Sequence, residues 1–179
     1  MELKLKTISK DGIAEAISKV ELYRYLNEPE EAESICHDIL AADPDNQLAQ
    51  RLLGLAITDQ FDGKATDRYA EAERIFQGLK DPYERHYYTG LLLERRAKAQ
   101  LRAGRPAQTL AGSFREAMRH FEEAEKIRPP HNDDAVLRWN RCVRWLEKLQ
   151  HTDAESKEVS FHDDDTAPIE IMRRPGKAI

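Results

Sequence analysis

"PEEAESICHDILAADPDN" (29–46) and "FREAMRHFEEAEKIRPPHND" (114–133) decide how this chain is read, because the second nearly replays the first. Each has a Glu-Ala pair inside a helical run, Glu31-Ala32 and Glu116-Ala117. A bulkier residue follows four positions after the alanine (Cys36, Phe121), and an apolar or small one three further on (Ile39, Ala124). Proline stands twelve positions after the alanine in both, at Pro44 and Pro129. Identical spacing across two segments points to one structural unit used more than once, and Ala72/Phe76/Leu79 supplies a third copy of the triad.

Around these segments the signals are helical. Helical runs with no internal proline cover about 12–26, 30–42, 46–59, 67–80, 83–103, 106–127 (opened by Pro106) and 132–149, separated by "NEP", "DPDN", "FDGKATD", "DPY", "GRP" and "RPPHNDD". Only "PIEIM" near the end alternates with the period of a strand. Seven helices joined by short connections predict antiparallel neighbours.

At 179 residues the chain suits one domain or a short repeat array, and 34% charged against 40% hydrophobic residues suits helices with a solvated face. No apolar run approaches the roughly 20 residues of a membrane helix. "MELKLKTISKDG" has no apolar core of a secretory signal, and Cys36 and Cys142 have no metal-ligand spacing. A reducing cytoplasm is the expected setting. The net charge of −5 is unevenly spread. Residues 1–84 carry 10 Lys/Arg against 18 Asp/Glu, 85–150 carry 14 against 8, and 151–179 carry 4 against 7. This predicts a lead-in over 1–12, a helical repeat domain over 13–150 and an acidic tail over 151–179.

The triads and the Leu53-Gly54 pair of "LLGLAI" resemble the tetratricopeptide repeat, a helix–turn–helix unit of about 34 residues. The resemblance implies an all-α right-handed superhelix of about three repeats, closed by "DAVLRWNRCVRWLEKL" as a capping helix. Ala135, Trp139, Cys142, Leu146 and Leu149 form its expected core stripe. The chain departs from the family in lacking a tryptophan near each unit's start, where it has Ala16, Gln50 and His86. The triads also lie 40 and 45 residues apart; the first excess fits the "FDGKATD" loop, and the second predicts extra turns in both helices of the third pair.

In the family the first helix of each unit lines a concave groove that receives a peptide or helix of a partner protein. Counting from Leu53-Gly54, the resemblance implies an apolar and aromatic groove of Ile17, Arg24, Leu48, Arg51, Leu52, Leu55, Tyr87, Tyr88, Leu91 and Arg95. The lysine and asparagine cluster with which some members hold a C-terminal carboxylate is not matched, since Ile17, Glu21, Leu52, Glu84 and Tyr88 stand there. The expected occupant is another protein, with the chain's own tail or a second copy as alternatives. In the tail, Asp163, Asp164 and Asp165 are candidates to dock on the basic region, with Ile169, Ile171 and Met172 laid in the groove.

A second reading is nucleic acid on the last helix. Arg138, Arg141, Arg144 and Lys148 surround Trp145 and would hold phosphates while the indole stacks a base. The overall negative charge argues against it. Catalysis has no visible constellation: the six histidines lack helical ligand spacing, "FDGKATD" lacks the calcium-loop pattern, and "HDDD" (162–165) reads as a solvated acidic run. The expectation is a non-enzymatic module with no metal and no cofactor.

Overall fold

The computed structural model describes residues 3–64 and 68–162, with side chains described up to Gln150. Among these the architecture is all-helical. A 3-10 turn (Lys10–Gly12) leads into α1 (Ile13–Tyr25), α2 (Pro29–Ala42), α3 (Gln47–Asp59), α4 (Tyr69–Gln77), α5 (Pro82–Arg102), α6 (Ala107–Lys126) and α7 (Asp134–His162). No helix of the described residues is long and apolar enough to cross a membrane.

The helix starts follow from capping chemistry. Asn46 Oδ1 accepts from Ala49 N at 2.9 Å to open α3. Asp81 Oδ1 accepts from Tyr83 N at 2.9 Å to open α5, where Pro82 sits at a position with no helical N–H to lose. Pro29 plays the same part in α2. Asn27 ends the turn after α1 at φ 61°, a left-handed conformation that asparagine tolerates.

Each helix packs on the next, and α1 also meets α3, α3 meets α5, and α5 meets α7. The three triads are the seam of this stack: Ala32, Cys36, Ile39, Ala72, Phe76, Leu79, Ala117, Phe121 and Ala124 are all buried. Opposite the large members stand glycines. A Cβ on Gly90 of α5 would lie 2.8 Å from the Phe121 ring of α6, and one on Gly54 of α3 would run into Phe76 of α4. Gly54 and Gly90 come four positions after Gln50 and His86, and the same step from Ala16 gives Val20. In the first pair a buried valine therefore goes with the smaller Cys36, so total size is roughly kept.

The third pair is lengthened as expected: α5 and α6 have 21 and 20 residues against 13 and 14 in α1 and α2. Two features of α7 differ from expectation. Trp139 is 37% exposed and lies off the core stripe, whose place is taken by half-buried Arg138 between buried Ala135 and Cys142. The helix also continues past Leu149 to His162, because 151–162 holds neither proline nor glycine to stop it. Asp163, Asp164, Asp165, Ile169, Ile171 and Met172 lie outside the described residues.

Candidate functional site

The mutual contacts of α1, α3, α5 and α7 give them a shared side, and side chains cross it from helix to helix. Asp59, at the end of α3, is the hub. Its Oδ2 accepts from Arg24 Nε of α1 at 2.8 Å, and its Oδ1 accepts from Arg95 Nη1 of α5. The same Nη1 donates to Thr58 Oγ1 at 2.7 Å. About two turns back along α3, Arg51 Nη1 donates to Glu84 Oε1 of α5 at 2.5 Å, with its guanidinium 5.9 Å from the Tyr88 ring centroid. Between α5 and α7, Arg138 Nη1 lies 3.5 Å from Glu94 Oε2. Asn132 Oδ1 joins the starts of these two helices, accepting from the Tyr83 hydroxyl at 3.1 Å and from Asp134 N at 2.9 Å.

Glu94 is fully buried. Its Oε1 accepts from Lys98 Nζ at 3.0 Å, whereas its Oε2 accepts no hydrogen bond from a described residue. Burial works against the charge on Arg138, but Glu94 and Tyr87 outweigh it and hold its pKa above the ordinary arginine value. For Arg95 burial prevails over the help from Asp59, so its pKa is lowered.

Several expected groove residues are elsewhere. Leu52, Leu55 and Leu91 are core, 3%, 8% and 3% exposed, so they offer no apolar surface to a partner. The cause is that α3 and α5 each touch four other helices, which leaves them no free apolar stripe. Ile17 and Leu48 are half-buried against the same core. Tyr87 and Tyr88 are both half-buried and meet edge to face at 5.0 Å, Tyr88 stacking on Phe76 at 5.4 Å and Tyr87 on Tyr83 at 5.8 Å. Burial pushes the Tyr88 hydroxyl up to about 12. The shared side is thus a row of cross-helix ion pairs over an aromatic cluster, more polar than the groove expected.

On α7, Arg141 and Lys148 lie over the Trp145 ring at 5.4 and 5.5 Å, and Arg144 is exposed. The indole also stacks on Phe114 of α6, with centroids 6.0 Å apart and planes 10° from parallel. Trp145 is half-buried in this contact.

The sequence reading missed Lys98 and Arg102. With Arg95 they form a stripe at i, i+3 and i+7 of α5, and with Thr58 and Asp59 they line a cleft of about 220 Å³. That spacing was the available signal. A larger hollow of about 460 Å³ lies between α2, α3 and α4, lined by Leu40, Gln50, Leu53, Arg74 and Ile75, and holds no comparable cluster of charge. Among the described residues no three or more His, Cys, Asp or Glu converge as metal ligands. Comparison with family models, with curated proteins and with solved structures finds no match to this chain.

Proposed function

We propose that the chain is a tetratricopeptide-like repeat array, wound as a right-handed superhelix, that works in the cytoplasm as a non-enzymatic adaptor. It binds a peptide or helical segment of another protein on the side shared by α1, α3, α5 and α7. The observation that carries this reading is the contact of alternate helices with one another, which makes four separate helices one continuous surface. The repeated pairing of a glycine with a phenylalanine supports the repeat, since it recurs at one register in successive pairs. The surface is charged and aromatic, with Arg24, Arg51 and Arg95 beside Tyr87 and Tyr88, a mixture suited to protein contacts.

Photo-crosslinking tests which side is used. Benzoylphenylalanine in place of Glu21 on α1 or Asn140 on α7, positions that the count from Leu53-Gly54 puts on that side, is expected to trap a partner protein from native lysate, with or without nuclease. The same group in place of Ser34 on α2 or Arg119 on α6 is expected to trap little. Crosslinks confined to the second pair would remove the shared side as the binding surface. Crosslinks lost on nuclease treatment would return the function to α7 and nucleic acid.

A further inference from the structure

The cleft between the ends of α3 and α5 has a charge balance that the fold does not use up. Asp59 is the single carboxylate among its lining residues, against Arg95, Lys98 and Arg102. Arg95 directs one nitrogen, Nη1, to Leu55 O, Thr58 and Asp59, so its Nε and Nη2 have no described partner. Lys98 gives one of its three protons to Glu94. Arg102 is exposed and makes no ion pair with a described residue. The cleft thus has a cation held rigidly at one end, a second one turn along, and an uncompensated third at its mouth.

We infer that this cleft seats an acidic, extended peptide segment, with carboxylates two residues apart pairing with Arg102 and with Lys98 or the open edge of Arg95. The spacing carries the argument. Along α5, Lys98 and Arg102 are separated by about 6 Å of helix rise. In an extended chain, side chains on one face repeat every two residues, about 6.7 Å. The two periods agree to within the reach of a lysine or arginine side chain. About 220 Å³ takes carboxylate side chains but no folded body. This inference rests on the adaptor reading and gives the chemistry of the partner.

The test uses the full chain and a fluorescein-labelled peptide with aspartate at every second position. Its C-terminus is amidated so that no terminal carboxylate contributes. Fluorescence anisotropy is expected to register salt-sensitive binding, and the asparagine counterpart is expected not to bind. Arg102→Gln should weaken binding roughly threefold and Arg102→Glu about tenfold or more, with helicity unchanged. Arg119→Gln, an equal charge change on α6, should leave it as it was. Binding that ignores Arg102 would overturn the assignment to this cleft. Oligothymidine of equal charge binding as tightly, with the same dependence on Arg102, would replace the peptide with a general polyanion. If the peptide fails while crosslinks from Glu21 or Asn140 still trap a protein, the acidic chemistry is wrong and the adaptor stands. If both fail, the two readings fall together.

Discussion

At the scale of single residues the stack depends on contacts that leave no room for a methyl group. Gly90→Ala would drive a Cβ into the Phe121 ring and close to the Ala117 carbonyl, so the ring or the helix must shift. We expect a loss of about 1–3 kcal/mol in chemical denaturation, partly recovered when Phe121→Leu is added, because the smaller side chain yields the space. An additive double mutant would mean the glycine is needed for some other reason. Gly54 is visible in the sequence as half of the Leu53-Gly54 pair, but which rings it and Gly90 face follows only from the packing. The cysteines give a second prediction. Burial pushes both Cys36 and Cys142 thiols up to about 12. Both are free, so neither is expected to react with a thiol-specific reagent until the chain unfolds, and labelling should track the denaturation curve.

Pairs of elements bring together what no single helix displays. His86 of α5 and His120 of α6 face each other with ring centroids 6.0 Å apart, although 34 positions separate them and neither run marks them as partners. The pKa of His120 is lowered, first by burial and then by His86, with Arg119 adding to this and Glu116 and Glu123 opposing it. Its stabilising contribution is complete above the ordinary histidine value of 6.5 and is lost as pH falls through the lowered one. The denaturation midpoint of the wild type should therefore drop between pH 8 and pH 5.5 by more than that of His120→Gln. An equal drop would assign the acid sensitivity to other groups. Helix ends were legible to within a few residues wherever proline, glycine or asparagine marked them. The end of α7 was not, because 150–162 offers no such residue and polarity alone does not stop a helix.

Over the whole molecule, the number and order of the helices could be read from the sequence. What could not be read was the depth of burial. Residues from Leu52 to Thr58 are all buried because α3 is enclosed by α1, α2, α4 and α5, and a single sequence carries no record of how many neighbours a helix has. For the same reason nothing in "LLLERRAK" marks Glu94 as fully buried. The consequence is a molecule whose first, third and fifth helices are linked through one carboxylate. Asp59 and Arg95 have side chains only about a quarter exposed, 23% and 22%, so the pair is partly shielded from solvent. Asp59→Asn keeps the shape but leaves the Arg95 guanidinium without its anion and close enough to Arg24 and Arg138 to feel their charge. We expect it to cost about 2 kcal/mol in denaturant unfolding, more than Arg24→Gln, which removes only the partner at the edge. Adding Arg95→Met to Asp59→Asn should return part of that loss, since the stranded charge is then gone. If Asp59→Asn proved neutral and the double mutant no better, the link between the three helices would be apolar packing alone, and the charges on this side would be free to serve a partner rather than the fold.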